Sequence, residues 1–172
     1  MLKIKPPDYK FCPFCGEKLQ ARVEEEQQRK FCPSCHWMYY PHVPSAVAAV
    51  IVRNGEVLMV KRGREPYRDT WMFPAGFIDF GEHPLDALSR EVKEETGLKV
   101  DEATLVEISQ TEDDPREPGH FCFFYRVTTS GGEIKTDEQE NKAIAWFNLE
   151  NPPEIGWKSH KHIMKQLQAG VD

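Results

Sequence analysis

Residues 76–98 read GFIDFGEHPLDALSREVKEETGL, and this stretch decides the fold. Gly81 ends a loop, His83 stands at an N-cap and Pro84 at the first helical position, where a missing N–H costs nothing. Gly97 supplies the C-terminal stop. The punctuation predicts a helix from about Pro84 to Thr96. Leu85, Leu88 and Val92 fall on one apolar stripe. Glu91, Glu94 and Glu95 stand at i, i+3 and i+4 on a neighbouring face. Like charges so placed destabilise a bare helix by roughly 0.2–0.5 kcal/mol per pair. Glu94 and Glu95 also lie near the C-terminus, where the helix dipole disfavours anions. A sequence that accepts this strain calls for a cation. Clustered hard oxygens without Cys or His suit Mg²⁺ or Mn²⁺.

The whole pattern, Gly-x5-Glu-x7-Arg-Glu-aliphatic-x-Glu-Glu-x-Gly-aliphatic, resembles the Nudix box, with each defining position filled from Gly76 to Leu98. The resemblance implies a catalytic Mg²⁺ or Mn²⁺ held by Glu91, Glu94 and Glu95 with a backbone carbonyl at Gly76 or Ala75. It also implies a structural salt bridge between Arg90 and Glu82 that ties loop to helix, with Arg90 turned away from the centre of the metal cluster.

Composition bounds the alternatives. The chain has 172 residues, enough for one or two domains, and 40% of them are hydrophobic, enough for a real core. No run of about 18 apolar residues exists, so no membrane-spanning helix is expected. MLKIKPPDYK, at the start, has no apolar core of a secretory leader, and cytoplasmic residence is expected. The net charge of −6 argues against a broad nucleic-acid surface.

Cys12-Pro-Phe-Cys15 and Cys32-Pro-Ser-Cys35 form two CxxC pairs, the spacing of a structural Zn²⁺ site. Four thiolates close a tetrahedral shell and leave no place for a substrate. A redox disulfide pair is the rival reading. Lys18 to Lys30 is polar and fits a strand pair, and a module this small needs metal for its folding energy. His36 reads as exposed or packed rather than as a ligand, and Cys122, in the apolar run FCFFY, as a buried inert thiol. Lys10, Lys18, Arg22, Arg29 and Lys30 are offset by Glu17 and Glu24 to Glu26, so nucleic acid is not an expected partner of this module. It resembles the ribbon that precedes some Nudix domains. The expected division is a zinc ribbon over 1–44 and a Nudix hydrolase domain over 45–172, with a linker from Tyr39 to Ser45.

Ala46 to Arg53 reads as a buried strand, Asn54-Gly55 as a type I′ hairpin turn, and Glu56 to Lys61 as the returning strand. Arg62, Arg64 and Arg68 follow as candidate phosphate ligands. Trp71 begins WMFPAG, which resembles the family's approach to its box, with Phe73 at an aliphatic and Ala75 at a glycine position; Trp71 is a candidate substrate contact. Beyond the box, strands are expected at Ala103–Ser109, Phe121–Thr129 and Ala143–Phe147, and a helix over Trp157–Gln168 through His160, Ile163, Met164 and Leu167. Glu140, six residues before Trp146, is a candidate metal ligand or base, with Glu138 as alternative; Trp146 and Phe147 read as core.

Strands and helices mix without βαβ regularity, which predicts an α+β class. The resemblance implies a Nudix α/β/α sandwich with a mixed sheet. The expected activity is metal-dependent hydrolysis of the pyrophosphate bond of a nucleoside diphosphate linked to another moiety, with Glu91 or Glu140 as base. The resemblance points to ADP-ribose or a dinucleotide such as FAD. NADH pyrophosphatase or NAD-cap decapping stands as the alternative, although Ser109-Gln110-Thr111 opens like the NADH-type signature and then turns acidic. A nucleotide-sensing or nucleic-acid-binding protein is the rival of another class. The resemblance is compatible with a homodimer.

Overall fold

The computed structural model describes residues 7–135 and 140–170. The chain divides into two compact units, Met1–Val43 and Pro44–Asp172. In the first, β1 (Gln20–Glu24), β2 (Gln27–Phe31) and β3 (Met38–Tyr39) form an antiparallel sheet in that order. Tyr39, read as the start of a linker, is a buried member of β3. Among the described residues the apolar interior is Cys12, Leu19 and Cys32 with Trp37 against them, and the ring of Tyr39 near by. So little burial cannot offset the ordering entropy of the module.

The second unit begins with β4 (Ser45–Val50), β5 (Val52–Arg53) and β6 (Glu56–Arg62), followed by short strands β7 (Trp71–Met72) and β8 (Ala75–Phe77). Helix α1 (Pro84–Thr96) leads to β9 (Lys99–Gln110), β10 (Phe121–Ser130), β11 (Asn141–Asn148) and helix α2 (Lys158–Gln168). One sheet has the order β8-β4-β10-β9, and the other β11-β6-β5 with β7 on β6. β4 and β10 are parallel, Ser45 opposite Phe121, and the remaining pairs are antiparallel.

The strand expected from Ala46 to Arg53 is therefore two strands. The chain leaves the first sheet at Ile51 and enters the second at Val52. The hairpin turn is as read: Asn54 and Gly55 both have positive φ, 51° and 79°, as a type I′ turn requires.

β4 sits between the helices. Ala46, Ala48 and Val50 share a core with Ile163 and Met164 of α2. Val47 and Ala49 share another with Ala87, Leu88 and Val92 of α1. A strand covered on both faces must be apolar throughout, as SAVAAV nearly is. This is an α/β/α arrangement. In α1 the buried side is Ala87, Leu88, Val92, Glu95 and Thr96. Leu85, expected in the stripe, lies on the exposed side of the first turn, whose buried residue is Ala87. The helix ends follow the sequence: the Nδ1 of His83 accepts from the Leu85 N–H at 3.3 Å, and Gly97 closes the helix at φ 74°.

Candidate active site

α1 lies against β8, and at Gly76 the Glu91 carboxyl occupies the space that a Cβ would need. A Cβ there would stand 2.0 Å from the carboxyl carbon of Glu91. Glycine is needed here for proximity, since the backbone has no positive φ at this residue. One helical turn on, Glu95 is 3% exposed. Its Oε2 accepts from the Ala75 N–H at 2.8 Å and its Oε1 from the Asn141 amide at 2.7 Å. Burial outweighs these two bonds and pushes its carboxyl up to about 8. Burial likewise raises Glu91, against the pull of Arg90.

Arg90 organises the entry to the helix. Its Nε and Nη2 both donate to Glu82 at 2.9 Å, and Nη2 also donates to the Phe77 carbonyl at 3.0 Å. The Glu82 carboxylate, which also accepts from the Asp79 N–H, is held down to about 2, chiefly by Arg90. Nη1 donates to Glu91 at 2.6 Å and reaches Glu94 at 3.3 Å. Arg90 thus touches the carboxylate cluster instead of turning from it: a guanidinium has five donors, and Glu82 does not use them all.

Arg90, Glu91 and Glu95 line a cleft of about 280 Å³. Gly76, Glu91, Glu95 and Glu140 meet there with Arg62 and Arg64. Glu140 is held by an ion pair with Arg64. Its carbonyl accepts from the Gly63 N–H at 2.9 Å, an approach that a Cβ on Gly63 would obstruct. Glu138 lies outside the described residues. Glu94 is more than half exposed and is not among the groups lining the cleft. Arg68 is exposed at 3.9 Å from Asp69, and Trp71 packs edge-on against Phe147 in the core. Neither lines the cleft.

The loop 111–119 supplies a wall through Thr111, Asp114 and Arg116. Asp114 is almost wholly buried and holds Arg116 through both carboxylate oxygens, at 3.0 and 2.9 Å. Asp113 accepts from the Tyr67 hydroxyl at 2.9 Å and from the Lys158 N–H at 3.0 Å, so it caps α2 from a distant loop. His120 lies edge-on to Phe77 at 5.2 Å. His160 of α2 also reaches the cleft, where helical spacing showed only an inward-facing position. The cleft combines the carboxylates of Glu91, Glu95, Asp114 and Glu140 with the guanidinium groups of Arg62, Arg64, Arg90 and Arg116, the charge pattern that takes up a hard cation and an anionic ester together.

The domain model described as NUDIX matches residues 41–167, and the one described as Nudix N-terminal, a zinc ribbon, matches residues 10–41. The chain belongs to the NUDIX family. It is similar to the ADP-ribose pyrophosphatase of Methanocaldococcus jannaschii, 33% identical over 152 residues that cover 87% of this chain and 85% of that protein. It is also similar to the NAD-capped RNA hydrolase NudC of Stutzerimonas stutzeri, 26% identical over 147 residues, 86% of this chain and 51% of that protein. The chain therefore spans about half the length of that relative. A NUDIX hydrolase from Nitrosomonas europaea shares the fold, with a TM-score of 0.73, 24% identity and 94% of each chain covered. Nudix hydrolases depend on a divalent metal. The fold is the α+β Nudix sandwich expected, in two sheets.

In the ribbon, the four Sγ atoms of Cys12, Cys15, Cys32 and Cys35 all lie within 4.8 Å of one another. The nearest sulfurs, Cys12 with Cys35 and Cys15 with Cys32, are 3.5 Å apart and unbonded, and pair across the two CxxC motifs. The Cys35 N–H turns toward Cys32 and brings its thiol down to about 7. The four sulfurs form one cage. His36 is exposed and lies tilted against Phe31. Cys122 is buried, and burial alone raises its thiol.

Proposed function

We propose that this Nudix hydrolase cleaves the pyrophosphate linkage of ADP-ribose. The observation that carries the reading is the joining of Glu91, Glu95 and Glu140 with Arg62, Arg64 and Arg116 in one cleft. The similarity to an ADP-ribose pyrophosphatase along most of both chains supports the choice of substrate. FAD belongs to the same chemical class and is the next candidate.

The residues fit Mg²⁺ or Mn²⁺. Glu91 and Glu95 are oxygen donors disfavoured as bare anions by burial, and the Gly76 cradle holds Glu91 in place. Glu91, Glu95, the Gly76 carbonyl and Glu94 from the rim would hold the ion. When bound, such a cation supplies charge neutralisation and Lewis acidity at the diphosphate. Arg116, braced by Asp114, and Arg64 bind phosphate oxygens through N–H donors. Glu140, reached from solvent and positioned by Arg64, takes the proton of the attacking water. The water oxygen bonds to one phosphorus, the bond from that phosphorus to the bridging oxygen breaks, and the leaving phosphate keeps that oxygen. ADP-ribose then gives AMP and ribose 5-phosphate.

The four-cysteine cage of the ribbon fits Zn²⁺ in a structural role, with no open position for chemistry. The five cysteines are unpaired, which suits a reducing compartment such as the cytoplasm.

A panel of ADP-ribose, FAD, NADH, diadenosine polyphosphates and NAD-capped RNA, each with Mg²⁺ and Mn²⁺, tests the reading. ADP-ribose should turn over best, and Glu94→Gln should reduce the rate strongly. Best turnover of NADH or capped RNA would reassign the substrate.

A further inference from the structure

Two donors in the cleft have no partner among the described residues. Arg62 is 9% exposed. Its Nε donates to the Pro66 carbonyl at 2.7 Å and its Nη1 contacts the Met72 sulfur at 3.3 Å, while its guanidinium lies 5.2 Å from the Trp157 ring centre. Its Nη2 is buried and unpaired. A buried guanidinium N–H left unpaired is costly, and in a cleft it marks a place where a ligand completes the pairing. The second donor is His160, 5% exposed, at the same cleft. Its ring stacks on Phe73 at 5.4 Å and meets Phe124 edge-on.

The tautomer of His160 is fixed by the backbone. Its Nδ1 accepts from the Phe73 N–H at 3.2 Å, so the proton of the neutral ring must sit on Nε2. Nε2 has no protein partner among the described residues. Burial, with Arg62 and His120 nearby, holds the imidazolium form down to about 3, so the ring stays neutral through the working range. Arg62 supplies the charge and His160 a second, uncharged N–H. Two unpaired donors select a group that brings acceptors, and the buried cation favours an anionic one.

We propose that His160 is a substrate-binding residue whose Nε2–H, in the cleft that also holds the free Nη2–H of Arg62, receives a phosphate oxygen of the substrate. This rests on the hydrolase reading above and deepens it by adding a determinant from α2 that lies outside the box helix.

Two variants separate binding from a structural role. His160→Asn places an oxygen near the old Nδ1, so it still accepts from Phe73 but has no group at the Nε2 position. His160→Gln places an amide donor near Nε2 and gives up the Phe73 contact. For ADP-ribose with Mg²⁺, His160→Asn should stay folded, melting somewhat lower for the lost ring packing on Phe73 and Phe124, and lose about tenfold or more in kcat/KM, the effect of one hydrogen bond to a charged group. His160→Gln should melt lower and keep more of kcat/KM. Native kinetics in His160→Asn, or kinetics worse in folded His160→Gln than in His160→Asn, would overturn the assignment.

Imidazole nitrogen spectra of ¹⁵N-histidine-labelled protein give a readout that needs no turnover. The His160 Nε2–H signal should persist from pH 5 to 8 and shift when ADP-ribose is added with Ca²⁺. No shift, with turnover intact, overturns the donor and leaves the hydrolase. A shift without turnover of any panel member supports the donor and sinks the hydrolase reading. Absence of both overturns the two together.

Discussion

Glu95→Gln should convert a pH-dependent stability into a flat one. In the fold the Glu95 carboxyl is pushed from its ordinary 4.5 to about 8, first by burial and then by Glu91 and Glu140. At about 1.4 kcal/mol per pH unit, ionising it inside the fold costs roughly 4–5 kcal/mol without a cation. The unfolded chain releases this proton near pH 4.5, whereas the native chain keeps it until about 8. Between those values the native state holds one more proton, so stability falls as pH rises, by about 1.4 kcal/mol per unit. From pH 5 to 8 this one group should remove on the order of 3 kcal/mol. Glutamine has no such slope. Its amide presents one acceptor in place of two, so either the Ala75 N–H or the Asn141 amide loses its bond, at a constant cost of about 1–2 kcal/mol. The variant should be the less stable protein at pH 5 and the more stable at pH 8. Urea unfolding followed by tryptophan fluorescence, with zinc retained and no magnesium or manganese, measures both curves. Saturating Mg²⁺ should reverse the order at pH 8, because the ion binds only the ionised carboxylate. Parallel pH profiles for the two proteins would refute the reasoning.

Gly76→Ala puts a methyl group into the space of the Glu91 carboxyl. It should lower kcat/KM by about 100-fold, the usual effect of displacing a reacting group by an ångström, while the melting temperature changes little because the Glu91 side-chain end can move. Arg90→Lys breaks the paired bonds to Glu82, whose carboxylate Arg90 holds down to about 2. A depressed carboxyl stabilises the fold above its ordinary value and ceases to do so as pH falls toward 2. The variant should therefore melt lower than the native chain above pH 5, with the gap closing toward pH 2 in a thermal scan; a constant gap would contradict the assignment. Stripping zinc, or Cys32→Ser, should abolish amide protection across β1 and β2, since the ribbon interior is too small to hold itself. Hydrogen exchange should show the core strands β4 and β10 still protected.

Helix α1 was legible to the residue because its signals are local: His83, Pro84 and Gly97 act within one turn of themselves. The carboxylate face was legible for the same reason. What the sequence hid was long-range. The break at Ile51 depends on two sheets competing for one apolar run, which no local pattern records. The place of Arg116 depends on a loop pinned by Asp113 to Tyr67 and Lys158, residues 46 and 45 positions away. Arg62, Arg64 and Arg68 looked alike in sequence; only the fold separates a buried donor, an ion-paired cleft residue and a solvated side chain. His160 read as one more inward position of α2, and its chemistry appears only with the Phe73 N–H in place.

The measurement that tests the central claim most directly is hydrolysis of ADP-ribose in ¹⁸O water, with Mg²⁺, by the native chain and by Glu91→Gln, read by mass spectrometry. The account predicts AMP and ribose 5-phosphate in equal amounts, one ¹⁸O on one of the two products, and near-complete loss of both in the variant. An uncleaved substrate, or cleavage that survives Glu91→Gln unchanged, would contradict it.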